Sequence, residues 1–138
     1  RAAYALRENV AHERSLSFVA EHDQNIVGSV RLTKFMWGED AALMLGPLAV
    51  LKQHSGVGVG KALMAQSIET AKMCLSDHGC EVVMLVGDLP YYKPFGFKRI
   101  AQGKIELPRP ADPFRVLACE LVADSLPKMT GKAMCHTT

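Results

Sequence analysis

The segment Ser55-Gly56-Val57-Gly58-Val59-Gly60 constrains the fold more than any other part of the sequence. It follows an apolar run, Ala41 to Val50, and precedes Lys61 to Leu75, in which Met64, Ile68, Ala71 and Leu75 recur at helical spacing. Glycines alternating between a strand and a helix let the backbone approach an anion closely, and the first amides of a helix point outward without partners. With the helix dipole they make a seat for phosphate or pyrophosphate. The same glycines would also serve a tight strand-to-helix turn with no ligand, so the surrounding sequence has to separate the two readings.

Two familiar anion loops do not fit. A dinucleotide fingerprint Gly-x-Gly-x-x-Gly needs glycine at Lys61 if it starts at Gly56, and at Leu63 if it starts at Gly58. A Walker A loop ending in Gly60-Lys61 needs glycine at Ser55 and Ser or Thr at Ala62. A nucleic-acid ligand is disfavoured too, because 16 basic and 14 acidic side chains leave a formal charge of only +2 and form no dense basic run. A small phosphate-bearing ligand remains compatible, since a few backbone amides hold it without global charge.

The rest of the chain reads as one α+β domain. Arg1 to Val10 has the composition of a helix end. Leu16 to Glu21 is a short apolar run closed by the turn cluster His22-Asp23-Gln24-Asn25, and Ile26 to Phe35 then alternates with a period of two. Trp37-Gly38-Glu39-Asp40 makes the next break, so three antiparallel strands follow one another, with Ala41 to Val50 at the sheet centre. After the helix, Gly79 is placed as a left-handed stop, and Glu81 to Val86 reads as a buried strand. Asp88 and Pro90 open a short helix to about Phe95, with Asp88 as its cap; Gly96 breaks it. Phe97 to Ile100 leads into an irregular Pro-rich stretch, and Phe114 to Val122 is read as the last strand.

The strand–loop–helix segment resembles motif A of the GNAT superfamily N-acetyltransferases, Arg/Gln-x-x-Gly-x-Gly/Ala. Gly58 and Gly60 fall on its glycines, and Gly56 matches the glycine common after the leading Arg or Gln. The flanks Leu45-Gly-Pro-Leu-Ala-Val50 and Gly60-Lys-Ala-Leu-Met64 are also similar to the family, particularly its small bacterial stand-alone members. The leading Arg or Gln is Ser55 here, which removes one side chain from the loop and leaves its backbone amides in place. A second stretch, Tyr91-Tyr92-Lys93-Pro94-Phe95-Gly96-Phe97, resembles the family's motif B ending, Tyr-x-x-x-Gly-Phe.

The resemblance implies a three-layer α+β fold, with a mixed, mostly antiparallel sheet, helices on both faces, and family strands 4 and 5 (Leu43 to Val50 and Glu81 to Val86) splayed apart. It implies acetyl-CoA as acyl donor, no metal, and direct transfer to a primary amine in a ternary complex. The cofactor would contact Leu48, Ala49, Val50, Ser55, Gly56, Val57, Gly58, Val59, Gly60, Lys61 and Asp88. Pantetheine would pair with the free backbone of Leu48 to Val50 like an added strand, and an amide near Leu48 or Ala49 would polarise the thioester carbonyl. Tyr92 falls on the tyrosine that protonates the departing thiolate. A thiol pKa near roughly 8.5 against a phenol near roughly 10 makes that transfer workable.

Other residues carry less. No carboxylate stands out as a base. Glu39 and Asp40 are candidates for substrate contact, and His54 and Lys61 flank the loop and could touch phosphate. Met64, Met73 and Met84 read as core. Cys80 has one close histidine, His78, and no third group to orient it, so it reads as packing. The four cysteines lack metal or disulfide spacing and suit reduced thiols in the cytoplasm. The apolar runs are too short for a membrane span.

The family places a strand and a helix before the strand beginning at Leu16. The resemblance therefore implies a single domain over residues 1–138 that lacks the first strand and part of the first helix. Its partners would be a small-molecule or protein amine and, as in many members, a second copy in a homodimer, with no nucleic acid or membrane. Two other functions stay open from the residues alone: a non-catalytic acyl-CoA-binding sensor, and a nucleotide-binding module using the same loop.

Overall fold

Two tight turns organise the first half of the chain. Asp23 and Gln24 both adopt positive φ (49° and 67°), the conformation of a two-residue hairpin loop whose twist matches the flanking strands. Gly38, at φ 62°, does the same between Trp37 and Asp40. These turns connect β1 (Phe18–His22), β2 (Asn25–Trp37) and β3 (Asp40–Val50) into the expected antiparallel meander. The computed structural model describes residues 2–136. Arg1, the first residue of the expected N-terminal helix, lies outside the described residues; the helix itself is α1 (Ala2–Arg7).

The remaining elements are α2 (Val59–Met73), α3 (Leu75–His78), β4 (Val82–Val86), α4 (Leu89–Tyr92), β5 (Phe97–Arg99), β6 (Ile105–Glu106), β7 (Val116–Glu120) and β8 (Gly131–Cys135). The sheet runs β5-β7-β4-β3-β2-β8-β6, and β1 shares with β8 the outer edge of the long strand β2. Its pairs are antiparallel except β3–β4 and β6–β8.

Strand periodicity divides the core into two layers. Val30, Leu32, Leu43, Leu45, Val83, Leu85, Leu117 and Cys119 face α2, which buries Leu63, Met64, Ile68 and Ala71 against them. Each large α2 side chain contributes about 1.5–3 kcal/mol by leaving water. Ser67 is fully buried in the same contact, and its hydroxyl donates to the Leu16 carbonyl at 2.9 Å, so no polar group is orphaned there. Phe35, Trp37, Ala42, Met44, Val82, Met84, Val116 and Ala118 face the other way and meet Leu6 of α1. The sheet therefore has a helix on each face, as the three-layer fold requires.

Several sequence expectations are corrected. The strand read as last, Phe114 to Val122, is β7 over Val116–Glu120, with a 3-10 turn at Pro113–Arg115 before it. A further strand follows, β8, and β6 lies inside the stretch read as irregular; these two are short and held by each other and by β2. Helix α2 begins two residues before Lys61 and stops at Met73, after which Cys74 leaves helical geometry and α3 adds one turn. Gly79 ends that turn in the left-handed conformation, as read. Met64 and Met84 are core, but Met73 is 81% exposed. It sits two residues past Ala71, about 200° around the helix, and so points away from the sheet.

Candidate active site

The sheet opens at its centre. Parallel pairing between β3 and β4 is confined to Leu43↔Val83 and Met44↔Met84, although β3 continues to Val50 and β4 to Val86. The cause is local. Val30 and Leu32 of β2 face Leu48 and Leu45 of β3, so β3 carries an extra residue at Gly46-Pro47, and a bulge bends a strand away from its neighbour. Burial follows the bend: Ala42 to Leu45 are buried, whereas Gly46 to Val50 are half-buried or exposed. Leu48, Ala49 and Val50 stay paired with Val30, Ser29 and Gly28, leaving their other edge to the gap. The expected splay of the two strands is present.

The glycine loop closes the same end of β3. Gly56 and Gly58 have φ of 81° and 92°, and a Cβ on either would meet nothing within 4 Å. Their backbone conformation demands glycine while the space around them stays open. Ala62 makes the first hydrogen bond of α2, to the Gly58 carbonyl at 3.0 Å. The amides of Val59, Gly60 and Lys61 have no backbone partner among the described residues. A cluster of free amides at a helix N-terminus can hold an anion. Gly60 is glycine for a different reason: a Cβ there would lie 2.5 Å from the Tyr91 hydroxyl. Ser55 is exposed, and its hydroxyl donates to the Lys52 carbonyl at 2.7 Å. Val57 and Lys61 are exposed, and the His54 ring lies 5.3 Å from that of His22.

Tyr92 lies beyond the open end of β4. Its ring covers Gly87, where a Cβ would come 2.5 Å from Cε2, and packs edge-on against Tyr91 (4.8 Å) and Phe97 (5.9 Å). Burial, then Tyr91 and Asp88, hold its phenol above the ordinary value of 10.0, with Arg115 opposing. The group is a neutral proton donor at physiological pH. Tyr91 joins the two sequence motifs, since its ring touches Tyr92 while its hydroxyl reaches Gly60.

Asp88 occupies the N-cap position of α4, and its carbonyl accepts from Tyr91 and Tyr92 at 3.1 and 3.2 Å. Its carboxylate makes no capping bond, which corrects the cap reading; it pairs with Arg115 Nε at 3.2 Å instead. Arg115 falls within the segment read as a strand from Phe114, where nothing local marks it; the structure puts it in the 3-10 turn before β7. Gly28, inside the alternating run of β2, is a second residue with a role that the alternation alone does not show. A Cβ there would touch Leu63 and Val59 at 3.0 Å, so this glycine lets α2 close on β2. An isolated glycine inside a strand pattern was the available signal.

Glu39 and Asp40 belong elsewhere. They form the turn at the opposite end of β3 from Leu48 to Val50, roughly 25 Å along the strand. Cys80 is fully buried, and desolvation, partly offset by Lys34, pushes its thiol up to about 11. His78 cannot activate it: Nδ1 accepts the Cys80 amide at 2.9 Å, and Nε2 meets the Ala71 carbonyl at 2.7 Å. All four cysteines are free. Among the described residues no cluster of His, Cys, Asp or Glu could hold a metal ion, and no helix is long and apolar enough to cross a membrane.

Comparison with known proteins matches residues 13–99 to the family described as acetyltransferase (GNAT) domain. An uncharacterised N-acetyltransferase of Escherichia coli K12, YjhQ, is 33% identical over 104 residues, 72% of this chain and 55% of that protein. The match thus spans about half the length of that curated relative. The E. coli GNAT family N-acetyltransferase YhbS, solved in complex with CoA, superposes with a TM-score of 0.77 at 23% identity, covering 98% of this chain and 73% of its own. A GNAT family acetyltransferase from Brucella melitensis, solved in complex with acetyl-CoA, gives a TM-score of 0.65 at 26% identity, with 99% and 74% covered.

Proposed function

The chain belongs to the GNAT acetyltransferase family, and on that premise we propose that it transfers an acetyl group from acetyl-CoA to a primary amine. One observation carries the reading. A gap between β3 and β4, a loop of unpartnered amides and a half-buried neutral tyrosine converge on one end of the sheet.

The amides of Val59, Gly60 and Lys61, with the backbone of Ser55 to Gly58, hold the pyrophosphate. Lys61 adds a positive charge beside it. The free edge of Leu48, Ala49 and Val50 pairs with the pantetheine amides, and Asp88 lies at the far side of the gap. The amine nitrogen attacks the thioester carbonyl carbon, forming the C–N bond. An amide at Leu48 or Ala49 donates to the oxygen that becomes negative. The C–S bond then breaks, Tyr92 gives its phenolic proton to the thiolate, and the amine proton passes to water. Ser55 adds nothing beyond its backbone, because its hydroxyl is committed to Lys52.

The test combines binding and turnover. Calorimetry should show CoA bound in preference to ATP and NAD, and thiol release should occur with at least one amine of an acceptor panel. Tyr92→Phe should lower kcat by roughly 100-fold and leave CoA affinity unchanged. Preference for ATP or NAD would overturn the reading. CoA binding with no turnover on any acceptor would favour a non-catalytic acyl-CoA sensor.

A further inference from the structure

On the face of the sheet opposite α2 lies a cavity of about 180 Å³ that the proposed reaction does not use. Its walls include Ile100, Ile105, Leu107, Ala111 and Val116, with Arg109 at its rim. The volume decides what it takes. A cavity of about 150 Å³ holds a benzene ring, whereas whole drug-sized ligands need about 300 Å³ or more. This one fits a single aromatic or branched aliphatic side chain.

Its position relates it to the gap. Val116 is the register partner of Val86, the last residue of β4, and Val86 packs in the same apolar cluster as Ile105, Leu107 and Ala111. One strand spacing, about 4.8 Å, therefore separates the cavity floor from β4, whose other edge faces the gap. The cavity lies on the other face from the glycine loop, so a group seated in it approaches the gap from the side that the donor phosphates leave free. Arg109 is exposed and has no ion-pair partner among the described residues. Glu106 and Asp112 are equally near in sequence; neither forms an ion pair with it, and Asp112 is engaged by the Phe114 amide at 2.9 Å.

We propose that this cavity is the acceptor's side-chain pocket: the acceptor is an amine bearing an apolar side chain and a carboxylate, and Arg109 binds that carboxylate. An unpaired guanidinium over an apolar wall matches a ligand that has both groups, and its planar fork suits a carboxylate. The inference rests on the acetyl-transfer reading above. The bond changes are the same: C–N forms at the acceptor nitrogen, C–S breaks, and the carboxylate and side chain only hold the acceptor.

The experiment compares L-phenylalanine and L-leucine with 2-phenylethylamine, which lacks the carboxylate, and with glycine, which lacks the side chain. The amino acids with apolar side chains should exceed both in kcat/KM by at least about 10-fold. Arg109→Gln should raise their KM by about 10- to 100-fold with little change in kcat, and leave the KM for acetyl-CoA and the unfolding midpoint unchanged. Equal use of L-phenylalanine and 2-phenylethylamine, or an unchanged KM in the variant, would overturn the inference while leaving acetyl transfer intact. If no amine is turned over, acetyl transfer fails, and calorimetry with N-acetyl-L-phenylalanine still decides the pocket. Binding that Arg109→Gln weakens supports it; no binding overturns it.

Discussion

The Tyr91 hydroxyl stands 2.5 Å from the point that a Cβ on Gly60 would occupy, so the start of α2 and the helix after β4 are fitted to each other. A helical glycine normally weakens its helix by about 0.5–1 kcal/mol relative to alanine. Here its absence of a side chain makes room for a hydroxyl.

A double-mutant cycle follows from that contact. Gly60→Ala should destabilise the wild-type chain, because Tyr91 has to move. In a Tyr91→Phe background the nearest ring atom, Cζ, is 3.8 Å away, and the same substitution should stabilise by up to about 1 kcal/mol. Urea denaturation of the four variants should give a coupling of at least about 1 kcal/mol; additive effects would remove the contact from the account.

Alkaline pH should weaken the fold through Cys80. Its thiol is raised from 9.0 to about 11, so the folded state holds a proton that the unfolded state releases. Stability is complete below about pH 9 and falls as pH rises towards 11, by about 2–3 kcal/mol for this group. Cys119 and Tyr92 are shifted in the same direction. The measurement is therefore a difference: Cys80→Ala should lose less stability between pH 8 and 11 than the wild type.

The Asp88–Arg115 pair should matter little to stability. Both side chains are largely exposed, and such pairs contribute about 0–1 kcal/mol. Arg115→Ala should shift the urea midpoint only slightly. If Asp88 contacts pantetheine, Asp88→Ala should weaken CoA binding several-fold without a matching loss of stability, which calorimetry beside a melting curve would reveal.

Gly38→Ala should be far more damaging. The new Cβ would collide with the Thr130 carbonyl oxygen, and the positive φ adds strain of its own. A loss of about 3 kcal/mol or more is expected, since neither the turn nor the chain before β8 can move freely. A melting temperature within about 2–3 °C of wild type would contradict the close packing of Gly38 against Thr130.

The parts legible in the sequence were those written in short windows. The turn at Asp23-Gln24, the alternation of β2, the apolar stripe of α2 and the stop at Gly79 each depend on residues within a few positions of one another. The two motifs were legible for the same reason, as local patterns at Gly56 to Gly60 and Tyr91 to Phe97. Met73 failed because an apolar residue type carries no statement of which helix face it occupies. β6 has only two residues, and β8 buries only Ala133 of its five, so neither shows an apolar pattern and both exist through their partners.

By itself, then, the sequence determined the meander, the glycine loop with its following helix, the tyrosine-bearing turn and the family they point to. Local backbone preference and side-chain period act without reference to the rest of the chain. Tertiary structure decided how far β3 and β4 pair, which tyrosine touches Gly60, which partner Asp88 takes, and that Ile100, Ile105 and Val116 enclose a cavity beside Arg109. Those outcomes depend on contacts between residues tens of positions apart, and only the packed sheet brings such residues within reach of each other.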